Sequence, residues 1–322
     1  MKLYVLGTTD PHYNLALEEY LFERGEGDAF LLWQNAPTVV IGKNQNAHAE
    51  LHIDECRRRG IRIARRITGG GAVYHDMGNL NYSYIASGTG TLDFARFEAP
   101  IIAALSRVGV AATASGRNDL LVDGRKFSGN AQHSKNGRTL HHGTLLFDTD
   151  LSVLSSVLAV DAEKLKANAV RSVASRVTNL KEHLPVGYTV DDLIALIAGE
   201  MREHYGATLA APPTSAEIDA LAARNASAAW LFPDRDYLSR YTYTKKKRFP
   251  FGMVELSLSM KNEQIEEARI TGDFFGTAPV TLIEAALAGQ TLATAPAAIM
   301  GLPLGDCIAG MTEEDFLSLL SK

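Results

Sequence analysis

Cysteine is scarce. Cys56 and Cys307 are the two in 322 residues, at a spacing that fits no metal or redox motif, which argues against a disulfide framework and places the protein in a reducing cytoplasm. Long hydrophobic runs are missing too. No stretch approaches the roughly 18 uninterrupted apolar residues of a membrane span, and the N-terminus meets Gly7 and Thr8-Thr9-Asp10 before a signal-peptide core can form, so no membrane association is expected. Positive charge is not in excess: the net charge is -5 and the pI about 6.0, which argues against a nucleic-acid partner held by the overall field. Proline is sparse at 11, and 46% hydrophobic with 21% charged residues is the composition of an ordinary globular chain whose length suits two domains.

Several catalytic signatures are also absent. No phosphate loop of the G-x-x-x-x-G-K-[ST] type, complete G-x-G-x-x-G, G-x-S-x-G elbow or H-E-x-x-H occurs, so common NTPase, dinucleotide, serine-hydrolase and zincin readings lose ground.

What is present begins with Asp10-Pro11, which opens a helix ending at Gly25. Phe30–Trp33 and Thr38–Ile41 read as two neighbouring strands around Asn35-Ala36-Pro37. Further strands are expected over Ile61–Ile67, Ala72–Tyr74 and Leu80–Ile85, and a one-faced helix from Asp93 to Val108. Asp123-Gly124 predicts a type I′ hairpin that leaves Lys126 just beyond a rigid turn. Another strand follows from Leu140 to Phe147. Helices follow over Leu151–Leu158, Val190–Tyr205 and Ser215–Ala223, with capping-box spacing at Thr189/Asp192 and Thr214/Glu217. Around Trp230–Pro250 the pattern becomes an aromatic, charged connection, after which strands over Val254–Met260 and Gln264–Thr271 and helices near Leu282–Leu287 and Glu313–Leu320 form a small tail. Lys245-Lys246-Lys247-Arg248 reads either as a solvated loop or as a dock for an acidic partner. The fold class is therefore α+β, with a small α+β C-terminal domain, divided at 1–240 and 241–322.

Two segments carry candidate chemistry. Arg65-Arg66 runs into Gly69-Gly70-Gly71-Ala72-Val73-Tyr74-His75-Asp76, where consecutive glycines let backbone N–H groups approach an anion and arginines add charge-assisted contacts; the alternative is a flexible turn. Gly116-Arg117-Asn118-Asp119 leads into the hairpin with Lys126, whose ammonium is either an exposed hairpin charge or a stabiliser of developing phosphoryl or carboxylate charge. Asp119 either holds magnesium or pairs with a neighbouring cation. His141 and His142, adjacent on a strand, point to opposite faces, one expected buried and the other exposed.

Together with Asn14–Glu19, Lys126-Phe127-Ser128-Gly129-Asn130-Ala131, His142-Gly143-Thr144 and Arg176-Val177-Thr178-Asn179-Leu180, these segments resemble the lipoate-protein ligase A family, and Gly272-Asp273-Phe274-Phe275-Gly276 resembles its C-terminal accessory domain. The resemblance implies a biotin/lipoate ligase-like fold, a mixed sheet flanked by helices, and a two-step reaction: lipoate is activated by ATP with Mg2+ to lipoyl-AMP and pyrophosphate, then passed to a lysine of an apo lipoyl domain. It implies ATP contacts at Arg66, Gly71, Ala72, Val73, Tyr74 and Lys126, lipoate contacts at Lys126, Gly70 and His75, and support from Asn118, Asp119 and His142. The acyl chain is expected to run along strands near Val73, Leu80 and Leu145. Acceptors implied are lipoyl domains of 2-oxoacid dehydrogenase E2 subunits and the glycine-cleavage H protein, with the ligase a monomer whose tail moves between the steps. An octanoyl or lipoyl transferase of the same superfamily would need a reactive cysteine near Lys126, and neither Cys56 nor Cys307 lies nearby in sequence. A non-catalytic lipoate-binding protein is the third reading.

Overall fold

The computed structural model describes residues 1–87, 92–115, 118–159, 176–233 and 240–321. Gly116 and Arg117, and positions 234–239 of the expected aromatic connection, lie outside the described residues.

Among the described residues, the largest sheet has eight strands in the order β11-β1-β2-β6-β10-β9-β8-β7. Its strands are β1 (Lys2–Val5), β2 (Ala29–Trp33), β6 (Asn79–Ser87), β7 (Thr113–Ser115), β8 (Asp119–Val122), β9 (Arg125–Lys135), β10 (Arg138–Leu146) and β11 (Thr208–Leu209). A second sheet, in the order β4-β3-β5, is built from β3 (Thr38–Ile41), β4 (Arg62–Arg65) and β5 (Val73–His75). The expected pairing of Phe30–Trp33 with Thr38–Ile41 is not made. β2 pairs with β1 and β6, whereas β3 pairs with β4 and β5, because the Asn35-Ala36-Pro37 turn carries the chain from one sheet to the other. Both strands are buried along their whole length, so alternation gave no cue to their partners.

The first helix, Pro11–Arg24, starts where Asp10 accepts hydrogen bonds from the His12 and Tyr13 amides. It covers one face of the large sheet with Ala216–Ala226; Phe94–Ser106 and Val190–Tyr205 contribute to the core on the other. The Thr189/Asp192 capping box forms. The one expected at Thr214/Glu217 does not: Ser215, one residue later, caps its helix by accepting from the Ile218 amide.

The C-terminal part has its own core on a three-stranded sheet, β12 (Tyr243–Phe249), β13 (Gly252–Lys261) and β14 (Gln264–Gly272), covered by Thr281–Leu287 and Glu313–Leu320 among other helices. The Lys245–Arg248 run, expected as a loop, lies within β12. Lys245 and Lys247 bond Ser321 O and Ser318 Oγ at the C-terminal end of the last helix, where cations suit its dipole. Lys246 faces Glu255 across the ladder, and Arg248 lies 3.9 Å from Asp273.

Candidate active site

The site is a cavity between the two sheets. From the large sheet and the turn before β8 its lining includes Trp33, Asn81, Asn118, Lys126, Gly129, His142 and Thr144; from the small sheet and its glycine loop Val40, Arg66, Gly70, Gly71, Ala72, Val73 and His75; and from the first helix Leu15.

Lys126 is placed by the hairpin. Asp123 and Gly124 have φ of 50° and 72°, the two positive values a type I′ turn needs. A bulge follows: Leu120 faces Ser128 and Leu121 faces Lys126, leaving Phe127 as the extra residue, and such bulges re-aim side chains beside sites. The Lys126 backbone is pinned by its N–H to Arg176 O (2.7 Å) and its carbonyl to the Thr178 N–H (2.9 Å). A Cβ at Gly129 would fall 2.9 Å from Lys126 Nζ, so glycine there leaves room for the ammonium, which meets Asp119 Oδ1 at 2.6 Å. That ion pair is half-exposed and occupies the carboxylate expected to hold magnesium. No group of three histidines, cysteines or carboxylates able to hold a metal occurs among the described residues.

The glycine loop is held from beneath. Arg66 is buried, which lowers its guanidinium pKa to about 10, and it donates to Thr68 Oγ1, Val40 O, Gly69 O and Gly71 O. Arg65, its neighbour on the opposite side of the strand, bonds the carbonyls of Gly42, Lys43, Gln45, Trp230 and Leu231 and is not among the cavity's lining residues. From above, Gly70 N–H reaches Phe274 O of the C-terminal part (3.3 Å), and Gly272 N–H reaches Asn44 O (2.9 Å).

The adjacent histidines do face opposite ways, but both are buried. His141 bonds Tyr82 and Gln132 inside the core, where burial pushes its pKa down. His142 bonds Glu18 Oε1 through Nδ1 and Thr68 Oγ1 through Nε2, each at 2.8 Å. Glu18, also fully buried, accepts from Ser83 Oγ as well (2.6 Å). A chain thus runs from Glu18 through His142 and Thr68 to Arg66 and the glycine-loop carbonyls.

Of the residues singled out in the sequence, the cavity brings together Arg66, Gly70, Gly71, Ala72, Val73, His75, Asn118, Lys126 and His142. Tyr74 points to the other face of β5, into a cluster with Val39 and Ile41. Asn118 clamps Asn130, donating to its carbonyl at 2.7 Å. Leu80 and Leu145, expected beside the acyl chain, are buried in the core on the far face, and Asn81 and Thr144 face the cavity in their place. Trp33, Val40, Asn81 and the Glu18 connection were not legible as site features, because each sits within a uniformly buried run or a helix whose pattern is that of packing.

Residues 10–202 match the family model of the lipoyl protein ligase A/B catalytic domain. The chain belongs to that ligase family. Residues 239–320 match the bacterial lipoate protein ligase C-terminus. Lipoate-protein ligase LplJ of Bacillus subtilis is 37% identical over 97% of both chains, and lipoate-protein ligase 1 of Staphylococcus aureus 36% over 87% of both. In fold the ligase resembles P. falciparum LipL1, solved in complex with lipoate, at a TM-score of 0.81 and 22% identity over 98% of this chain and 97% of that one. An ATP-bound lipoate-protein ligase A matches 72% of this chain and 98% of its own, at a TM-score of 0.61 and 25% identity.

Proposed function

We propose that the protein activates free lipoate with ATP and transfers the lipoyl group to a lysine of apo lipoyl domains. The observation that carries this is the convergence, in one cavity, of a glycine loop held by Arg66, the Lys126 ammonium and an apolar slot of Leu15, Trp33, Val40 and Val73. In the first step a lipoate carboxylate oxygen bonds the α-phosphorus of ATP while the bond to the β-phosphate oxygen breaks, giving lipoyl-AMP and pyrophosphate. Lys126 draws the carboxylate and the α-phosphate, two anions, to one cation, and the loop amides offer donors to phosphate oxygens. The apolar slot excludes water that would otherwise hydrolyse the adenylate. In the second step the acceptor's ε-amine attacks the activated carbonyl and AMP leaves; ATP supplies the driving force, so no protein nucleophile is required. Magnesium enters with ATP as part of the substrate.

Cys56 and Cys307 are both buried, their thiol pKa values pushed up by burial, and neither lines the cavity, which supports the ligase over a thioester-forming transferase. Acceptors on this reading are E2 lipoyl domains and the H protein, met by a monomer in the cytoplasm. A bipartite lipoate protein ligase of Thermoplasma acidophilum, 27% identical at a TM-score of 0.65, was solved in a study that includes its E2 lipoyl domain. No helix among the described residues is long and apolar enough to cross a membrane. The test is incubation with ATP, magnesium and lipoate, with and without an apo lipoyl domain, following pyrophosphate and the acceptor's mass. ATP-dependent lipoylation supports the reading; acyl transfer only from an acyl carrier protein donor would replace it with the transferase.

A further inference from the structure

Behind the wall that carries Lys126, two side chains from non-adjacent strands meet over a glycine. Tyr82, Gly143 and Asn130 stand in register on β6, β10 and β9. The outer two strands are two ladder spacings apart, about 10 Å. A Cβ on Gly143 would fall 1.9 Å from Asn130 Oδ1 and 2.6 Å from Tyr82 Cε1, so only glycine leaves room for the two side chains to touch across β10. They do touch: Tyr82 OH meets Asn130 Oδ1 at 2.7 Å. A second hydroxyl, Ser128 Oγ, stands farther from that oxygen, at 3.4 Å. Both partners are buried, and Tyr82 packs in the core with Leu80 and Phe97, on the face of the sheet away from the cavity.

Backbone groups at both ends of this bridge fix the direction of every proton in it. Asn130 Nδ2 reaches Asn118 O (3.2 Å), a group that only accepts, so that atom is the nitrogen; it also donates to Glu98 Oε1 (3.0 Å). Asn130 Oδ1 is therefore an acceptor, and the Tyr82 hydroxyl donates to it. At the other end, Gln132 Nε2 donates to Asp93 O (2.8 Å) and Gln132 Oε1 accepts from Asp93 N–H (2.9 Å), so Nε2 is also the donor to His141 Nδ1 (2.9 Å). Burial keeps the His141 ring neutral, with its proton on Nε2, and that proton goes to the Tyr82 oxygen (3.0 Å). A hydroxyl that accepts from the histidine has its own proton free for Asn130 alone.

What the bridge holds is the turn before β8. Asn130 N–H donates to Asn118 O (2.8 Å) and Asn118 Nδ2 donates to Asn130 O (2.7 Å), so with the Asn130 amide three hydrogen bonds grip one residue. Asp119, next in the chain, pairs with Gly129 on the ladder and meets the Lys126 ammonium at 2.6 Å. We propose that Tyr82, aimed by His141 and Gln132 and given room by Gly143, is a positioning residue for the first step: it locks Asn130, Asn130 locks Asn118, and Asp119 is thereby set against Lys126. This deepens the ligase reading and rests on it. Packing is not the whole role of Tyr82, because a phenyl ring would fill the same core space and leave the Asn130 amide oxygen without its short hydrogen bond.

The test is Tyr82→Phe, which keeps the ring and removes the hydroxyl. The variant leaves the His141 proton without an acceptor and so lowers overall stability, and the readouts are chosen to be ones that a general loosening does not move. In amide hydrogen exchange without substrates, the Asn130 N–H should exchange roughly 3- to 10-fold faster than in the wild type, while amides of the Val190–Tyr205 helix keep their rates. In pyrophosphate release the KM for lipoate should shift roughly 3- to 10-fold with kcat within about twofold, and in an Asp119→Asn background the same substitution should add little, since both act on one contact. Asn118→Ala, which cuts the grip from its half-buried end, should quicken exchange of the same Asn130 amide. Exchange that quickens by one factor throughout the chain would overturn the proposal, as would an unchanged Asn130 rate in Asn118→Ala or effects of Tyr82→Phe and Asp119→Asn that multiply in full. Because exchange is measured without ATP or lipoate, a failure of pyrophosphate release in the wild type would count against the ligase reading alone.

Discussion

His142 Nδ1 stands 2.8 Å from Glu18 Oε1, joining residues 124 positions apart in the sequence, and its other nitrogen meets Thr68 Oγ1 at the same distance. Thr68 Oγ1 also accepts from Arg66 Nε (3.0 Å). His142 and a hydroxyl thus link the buried Glu18 carboxyl group to the buried Arg66 guanidinium, whose far end fixes the carbonyls of Gly69 and Gly71.

Replacing Glu18 tests that chain. In Glu18→Gln the amide oxygen can still accept from Ser83 and His142, but the charge opposite Arg66 is gone. We expect a stability loss of about 3 kcal/mol in urea denaturation, the low end of the range for a buried charge left without its partner, and a raised KM for ATP with a smaller change in kcat. An unchanged unfolding midpoint would show that Arg66 needs no counter-charge.

Lys126 and Asp119 give a pair of opposite expectations. Lys126→Ala removes the cation shared by both anions of the first step and should slow pyrophosphate release on the order of 100- to 1,000-fold. Asp119→Asn leaves the ammonium in place and removes its present partner, at a half-exposed contact worth roughly 1 kcal/mol or less in stability. It should therefore unfold like the native protein while changing the KM for lipoate, measured by pyrophosphate release. Equal slowing in both variants would mean that the ion pair itself, not the free ammonium, serves the reaction.

How far the sequence disclosed this arrangement varied with the range of the determinant. The Asp123-Gly124 hairpin was legible because two adjacent residues set its backbone, and the glycine loop because Arg65 and Arg66 stand directly before three glycines that alone would read equally as a flexible turn. Face parity was not. β6 is buried on both sides from Asn79 to Ala86, so nothing in its residues says that Asn81 rather than Leu80 meets the cavity. For the same reason His141 and His142 both proved to be interior, one in the core and one at the site. The basic run of β12 misled because charge suggested a loop, whereas its partners, the end of a helix 70 residues on and the neighbouring strands, are visible only in three dimensions.

Gly70 makes the contact between the two parts of the chain testable. Its φ is +89°, and a Cβ would meet the Phe275 ring at 3.0 Å and Arg66 Nη2 at 3.0 Å. Gly70→Ala should therefore cost about 1 to 3 kcal/mol from the left-handed backbone alone and push Phe275 from the loop. The measurement is urea denaturation paired with protease sensitivity of the C-terminal part. A variant as stable as the native protein would show that the loop readily adopts another backbone path.

Glu98 supplies a pH dependence. It is buried beside the cavity wall, where it accepts from Asn130 Nδ2 at 3.0 Å, and desolvation together with the nearby Asp119 carboxylate raises its pKa to about 7. For an acid the sign follows directly. Unfolded, Glu98 titrates near 4.3; folded, it keeps its proton until about pH 7, so between those values the native state binds more protons and stability falls as pH rises. Below the lower value both states are protonated and the effect is absent. Glu98→Gln holds the neutral form permanently, and its oxygen can still accept from Asn130. We expect the variant to be more stable than the native protein at pH 8, by an amount on the order of 1 to 3 kcal/mol, with the two curves converging as pH falls towards 4. Urea denaturation at intervals from pH 4 to pH 8 reads this difference. Curves that stay parallel over the whole range would place the Glu98 pKa at its ordinary value and remove the desolvation argument with it.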